Sequence, residues 1–391
     1  MKLIMALKVL LLLAAVNCYA SAGADSIKRQ HPYLADIPGF VTLKCDFHMH
    51  TVFSDGHVWP SFRVHEAERD GLDAISLTEH IDFEGFPEDL KRDVNRSYEI
   101  ARETAKKGNL IVIKGVEISP RVPPYHNNAL FVKDANKIPY PYMKNIHKEF
   151  VMKDNIKKDE LMAPFLEVQR QGAFVFYNHP GYAWWDKKDR EIFTTFHKEL
   201  LEKKILAGVE VVNSGRYNII AHNLAMKYNL TMMANSDEHY DMGLRYQSTH
   251  RPMTLVFAKE RSAEGIKEAL LARRTAVYND DLLIGRKAEL EPFFRAAVTV
   301  KTVYKKRNEE PILVVTLENH TDIPFRLKVS SPDYMVEDYP MGRLTVNAGS
   351  QATVILKAVW DAPASTPLDV KVENVLVDVN EELGTTLRLV P

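Results

Sequence analysis

Asp46-Phe47-His48-Met49-His50-Thr51 follows closely on the apolar run 41–43, and its reading decides how the rest of the chain is organised. A strand over 41–47 would turn alternate side chains to one face, so that Asp46, His48 and His50 point the same way. Two imidazoles and a carboxylate converging at the mouth of a sheet bind a transition metal more naturally than they pack into a core. An isolated His-x-His equally fits a pair of solvated surface histidines, so the choice rests on the remainder of the chain.

From 41 to about 278 short apolar runs alternate with amphipathic stretches, the pattern of βα units around a parallel sheet. Strands are expected over 41–47, 74–78, 110–117, 173–177, 208–212, 231–235 and 253–258. Helices are expected over 62–70, 88–107, 160–170, 189–202, 218–228 and 263–272. Seven such repeats predict an α/β fold closed or nearly closed into a barrel, whose reactive groups sit at the carboxyl ends of the strands. Asp46/His48/His50, Glu79/His80, Glu117, His179, Asn213 and Asp237/His239 each follow an apolar run within a few residues. From 291 the texture changes to strand-length segments with polar turns. Leu368, Val370 and Val372 alternate with Asp369, Lys371 and Glu373, which predicts an all-β sandwich over 291–391.

The composition is that of an ordinary globular chain: 391 residues, 46% hydrophobic and 26% charged. Lys plus Arg (51) nearly cancels Asp plus Glu (52), and a formal charge of -1 supplies no field for gripping a polyanion, so nucleic acid is disfavoured as a partner. Lys2 and Lys8 precede the apolar run 9–16, and Ala20-Ser21-Ala22 offers a small-residue cleavage site. Residues 1–22 therefore read as a signal peptide, 23–290 as the barrel domain, and the protein as periplasmic or secreted. The apolar run is too short for a transmembrane anchor, and lipidation at Cys18 is the weaker reading. Cleavage leaves Cys45 as the only thiol, so no internal disulfide forms; Cys45 reads as a small buried strand residue.

Taken in order, Asp46-Phe47-His48-Met49-His50-Thr51 with Ser54-Asp55-Gly56, Leu77-Thr78-Glu79-His80, Gly115-Val116-Glu117-Ile118, Asn178-His179-Pro180 and Ser236-Asp237-Glu238-His239 resemble the successive motifs of the PHP (polymerase and histidinol phosphatase) family of metallophosphoesterases. The resemblance covers 41–278 and extends to an exported phosphodiesterase-like branch in which a β-rich domain follows the barrel. It implies a distorted, TIM-like (β/α)7 barrel holding two or three divalent metals. Carried over by resemblance, His48, His50, Glu117 and Asp237 would bind the first metal. Glu117 would bridge to a second, completed by His126 and His179. Asp55, His80 and His239 would hold a third, with His57 the alternative to Asp55. Glu79 is expected to support the ligands from outside the set.

Mixed imidazole and carboxylate donors suit Zn, Mn or Fe better than Mg or Ca, without choosing among the first three. Metals held a few ångströms apart lower the pKa of a bridging water toward about 7 and neutralise phosphate oxygens. The expected activity is thus hydrolysis of a small phosphodiester or phosphomonoester by attack of that hydroxide. Glu117 and Asp237 would hold the cluster, His239 or His80 would assist the leaving alkoxide, and Arg216 would grip a phosphate oxygen. Tyr182, Trp184 and Trp185 would cover the substrate, with Arg121, Tyr125, Arg245 and Arg251 as further candidates near the expected loops. A homodimer formed through the sandwich is one use for that domain. Two other readings stay open: an amidohydrolase-like metal hydrolase of C–N or C–O bonds, and a non-catalytic binding protein with a structural metal site.

Overall fold

The computed structural model describes residues 32–181, 191–359 and 365–390. The expected signal peptide and the aromatic trio Tyr182, Trp184 and Trp185 lie outside the described residues. Among the described residues, no helix is long and apolar enough to cross a membrane.

Strand β1 (Val41–Asp46) turns Leu43 and Cys45 into the core. Cys45 is fully buried, and burial pushes its thiol well above its usual range, in keeping with a packing role. β1 pairs in parallel with β2 (Ala74–Leu77), and β2 with β3 (Ile111–Ile118), through crossover helices Pro60–Arg69 and Arg96–Ala105. The first of these helices opens on Pro60, whose missing N–H has no intrahelical acceptor to lose. β4 (Asn127–Leu130) runs antiparallel to β3. A small hairpin comes next, made of β5 (Met143–Asn145) and β6 (Val151–Met152). β7 (Phe174–Tyr177) pairs antiparallel with β4 and parallel with β8 (Leu206–Asn213). β9 (Arg216–Tyr217) folds back on the end of β8, and β10 (Thr231–Asn235) lies parallel to β8 on the other side. β11 (Met253–Ala258) then pairs antiparallel with β1, and β12 (Thr275–Asn279) and β13 (Leu282–Gly285) continue as antiparallel neighbours.

The ends of β1 and β10 meet. Asp237 N donates to His48 O at 2.8 Å, His50 N donates to Glu238 O at 3.1 Å, and Phe47 N donates to Asn235 Oδ1 at 2.8 Å. The expected βα barrel is therefore present, with antiparallel strands set into its parallel sheet. The eight residues 119–126 are fewer than the dozen or so that a parallel crossover needs, so β4 returns antiparallel between β3 and β7. After β10 the connection 236–252 brings the chain back at the end it left, which makes β11 antiparallel to β1.

The remaining strands are β14 (Val298–Arg307), β15 (Glu310–Asn319), β16 (Phe325–Ser330), β17 (Tyr334–Val336), β18 (Arg343–Val346), β19 (Gln351–Ala358), β20 (Thr366–Asp378) and β21 (Glu381–Leu389). They form the antiparallel sheet β14-β15-β19-β17 and the layer β18-β16-β20-β21. Leu313, Val315 and Leu317 of one layer and Leu327, Val370 and Val372 of the other share a buried cluster. Leu368, Val370 and Val372 are buried while Asp369 and Lys371 are exposed, the alternation expected from the sequence. Helix Lys287–Ala297 crosses the expected junction at 290/291 and runs straight into β14. β20 also pairs in parallel with β13, and Phe294 packs edge-on against Phe325 at 5.3 Å. The sandwich is thus fused to the barrel sheet.

Candidate metal centre

His48 and His50 sit just beyond the end of β1, their ring centroids 5.1 Å apart. Asp46 does not join them. It is buried at the strand end, accepts from Ser236 Oγ at 2.6 Å and faces Arg251 Nη1 at 3.3 Å, so the convergent trio read from β1 is corrected to a pair. Burial raises the Asp46 pKa, against the pull of Arg251 and Ser236. Its work is to hold the start of the 236–239 segment, because Ser236 N also donates to it at 3.1 Å.

The other expected donors come together around that pair. Glu117, at the end of β3, places Oε2 3.3 Å from His48 Nε2 and 3.2 Å from His50 Nε2. Asp237 Oδ1 lies 3.2 Å and 3.3 Å from the same two nitrogens. On one flank His126 Nδ1 is 2.8 Å from Glu117 Oε1, and Glu117, His126 and His179 form a second group of donors. On the other flank Asp55 Oδ2 is 3.3 Å from His80 Nε2 and 3.2 Å from His239 Nε2, and His50 belongs to this third group as well. His57 stacks on Tyr240 at 4.4 Å and stands apart from the group. The Ser54-Asp55-Gly56 turn that delivers Asp55 closes tightly: a Cβ on Gly56 would meet the His50 carbonyl carbon at 2.6 Å.

The donor set fits divalent metals on a structural ground independent of spacing. His50 is buried, and its ring nitrogens lie 3.2 to 3.5 Å from oxygens of Glu117, Asp237 and Asp55 without the alignment of a hydrogen bond, an arrangement that suits an ion shared among these donors. His179 and Asp237 also adopt left-handed backbone conformations, with φ of 28° and 50°, which non-glycine residues accept where the surroundings impose them.

Electrostatically the cluster is a mutual titration. Burial pushes the Glu117 carboxyl up, but His80, His48 and His126 outweigh it and hold the group well below the usual carboxylate range. Asp237 is lowered in the same way by His48 and His50, and Asp55 by His80 and His239. Conversely, burial opposes the charging of His80, but Glu117 and Asp55 raise its pKa to about 10. His48 is also raised, by Asp237, Glu210 and Glu117 against its burial. Protons here do the charge-balancing that metal ions do when bound.

Several supporting residues were not singled out from the sequence. Glu210 is fully buried in β8: Oε1 accepts from His48 Nδ1 at 2.8 Å and Asn235 Nδ2 at 2.9 Å, while Oε2 accepts from His179 N at 2.9 Å and Asn213 Nδ2 at 2.8 Å. Its signal was a carboxylate in the middle of an apolar strand. Asn178 Nδ2 donates to Glu117 Oε1 at 2.9 Å. Ser119 Oγ lies 2.7 Å from His80 Nδ1 and hydrogen-bonds Asp82, which also accepts from Tyr142 OH at 2.6 Å. Glu79, by contrast, was expected from the sequence to support the ligands from outside the set: it accepts from Thr51 Oγ1 and Ser54 Oγ, both at 2.6 Å, and so steadies the loop behind Asp55.

A cavity of about 230 Å³ opens over the cluster, lined among the described residues by Asp55, His80, Glu117, His126, His179, Asp237 and His239 together with Phe83, Ser119, Arg121 and Phe150. Arg216 is exposed on β9 and is not among these lining residues. Arg251 is buried against Asp46 and Asp70, away from the opening.

Comparison with known proteins agrees with this geometry. The PHP domain profile matches residues 46–174, and an Ig-like domain profile matches 298–388. A solved two-domain protein of Bacteroides vulgatus, described as containing a predicted PHP-like metal-dependent phosphoesterase, is 38% identical. It matches 93% of this chain and 99% of its own with a TM-score of 0.80. An uncharacterized protein of Methanocaldococcus jannaschii is 30% identical over 202 residues, 50% of this chain and 82% of its own. With the ordered motifs gathered at one end of the barrel and a relative aligned along nearly its whole length, the chain belongs to the PHP family of metal-dependent phosphoesterases, here followed by an Ig-like domain.

Proposed function

We propose that this protein hydrolyses a small phosphodiester or phosphomonoester with two or three divalent transition metals, Zn, Mn or Fe, in the centre described above. The observation that carries the reading is His50, buried with its Nε2 shared between Glu117 and Asp237 at 3.2 and 3.3 Å and its Nδ1 3.5 Å from Asp55, none of them aligned as a hydrogen bond. His48, His50, Glu117 and Asp237 would hold one metal, Glu117, His126 and His179 a second, and Asp55, His80 and His239 a third. Bound metals supply Lewis acidity toward phosphoryl oxygens and make water a competent nucleophile at neutral pH.

The chain's own residues set the geometry. Glu210 accepts from His48 Nδ1, which leaves Nε2 of that ring as the donor atom facing Glu117 and Asp237. Ser119 does the same for His80, presenting its Nε2 toward Asp55. His80 and His239 also line the cavity, and with two metals bound their Nε2 atoms are free to carry a proton to the departing alkoxide, whereas in the three-metal form the same atoms are donors to the third ion. Arg121 lines the opening and offers a fork of donors for a phosphoryl oxygen, a role also open to Arg216 from the exposed end of β9.

The near-neutral overall charge favours a small substrate over polynucleotide. The basic, apolar and small-residue succession over 1–22 supports export to the periplasm or beyond. Elemental analysis of the purified protein, followed by turnover of bis(p-nitrophenyl) phosphate and p-nitrophenyl phosphate after Mn or Zn loading, tests the reading. Full metal occupancy with no metal-dependent turnover of either ester would count against it.

A further inference from the structure

The mouth of the cavity contains groups that the metal cluster does not use. Phe83 and Phe150 line it beside Arg121, whose guanidinium carbon lies 4.5 Å from the Phe150 ring centroid. The two phenyl rings come from separate stretches, one after β2 and one just before β6, yet they sit on a single stitched frame. Glu84 N donates to Ile146 O at 2.8 Å and Lys148 N donates to Glu84 O at 2.8 Å. His147 Nδ1 lies 2.7 Å from Glu84 Oε2. Gly85 N donates to Ser54 O at 3.1 Å, which ties the same frame to the turn carrying Asp55.

An inorganic phosphate, polar on every side, gains nothing from two phenyl rings. They match a molecule whose phosphoryl group rests on the ionic floor and whose remaining part is flat and apolar. Because the backbone flanking both rings is held by these hydrogen bonds, such a group would meet a frame already in place and lose less to ordering it. Arg121 is the one lysine or arginine among the described lining residues, and its contact with Phe150 orients that ring while keeping positive charge at the opening.

We propose that Phe83, Phe150 and Arg121 form a subsite for an aromatic leaving group, so that the substrate is a phosphoester of a planar ring-bearing alcohol, either a simple aryl alcohol or a nucleoside. This deepens, and rests on, the phosphoesterase reading. Calorimetric titration of the Mn-loaded full-length protein with phenylphosphonate and methylphosphonate tests it without requiring turnover. Phenylphosphonate should bind about tenfold more tightly, the ratio expected from one well-formed aromatic contact. Phe150→Leu keeps the bulk and removes the π face, and should cut the ratio to about threefold or less, whereas Arg121→Gln should weaken both ligands, phenylphosphonate the more, because the Phe150 ring also loses the contact that orients it. Adenosine 5′-monophosphate binding more tightly than phenylphosphonate assigns the nucleoside source, and the reverse order assigns the aryl source. Equal affinities for the two phosphonates overturn the subsite alone, as does an unchanged ratio in both Phe83→Leu and Phe150→Leu. Absence of binding by either phosphonate at full metal occupancy overturns the phosphoesterase reading and the subsite with it.

Discussion

Replacing Glu210 should damage the centre more than its distance from the substrate suggests. Its carboxylate is fully buried and accepts four hydrogen bonds, from His48 Nδ1, Asn235, the His179 backbone and Asn213. Glu210→Ala strands all four donors around a new hole, and removing one partner from a buried charged network costs about 3–5 kcal/mol. Glu210→Gln keeps the volume and one accepting oxygen but turns an NH2 toward His179 N and Asn213. Each donor left unpaired costs about 1–3 kcal/mol, and rotation of the Asn213 amide can relieve one of the two. Glu210→Ala releases His48 from its fixed tautomer, whereas Glu210→Gln keeps an uncharged, weaker acceptor for Nδ1, and loss of such a partner lowers metal affinity by about 10- to 100-fold. Metal affinity measured by chelator competition, with thermal unfolding of the metal-free protein alongside, reads both effects. Glu210→Ala with metal affinity within about twofold of wild type and an unchanged unfolding temperature would refute the argument.

Glu117 stands in two of the three donor groups, so Glu117→Ala should lower the metal content by more than one ion per chain, checked by elemental analysis against the same measurement on His126→Ala. The pH dependence of the metal-free protein has a defined sign. The lowered carboxylates Glu117, Asp237 and Asp55 contribute stability above the ordinary carboxylate pKa of about 4, lost as pH falls. His80, raised to about 10, contributes stability that is full below its unfolded value of about 6.5 and declines as pH climbs toward 10. Metal binding must displace these imidazole protons, so chelator competition should show affinity rising with pH from about 6.5 upward, and a flat profile contradicts the assignment. Arg251→Met leaves the buried Asp46 and the largely buried Asp70 without their shared cation and should destabilise the fold by about 3–5 kcal/mol, seen as a lower unfolding temperature.

The donors were legible because each comes just after an apolar run, and chain direction in a parallel sheet sends the residue after every such strand to the same end. That logic placed His48, His50, Glu117, His179 and Asp237 at one mouth without knowledge of which strands are neighbours. It failed for Asp46, where strand periodicity assigned a face but not a partner: Ser236 and Arg251, about 200 residues away in sequence, claim the carboxylate. It also missed β4, since Asn127-Asn128-Ala129-Leu130 carries a weak strand pattern and pairs because β3 and β7 flank it.

The order and chemical type of the metal-seeking side chains, the change from βα repeats to an all-β segment and the buried thiol are consequences of local pattern, and the sequence alone determined them. Register, the antiparallel insertions, the closure of β10 onto the chain after β1 and the carboxylate behind His48 were decided by the tertiary structure. These depend on contacts between distant stretches, whose favourable energy exists only once several strands have already been brought together.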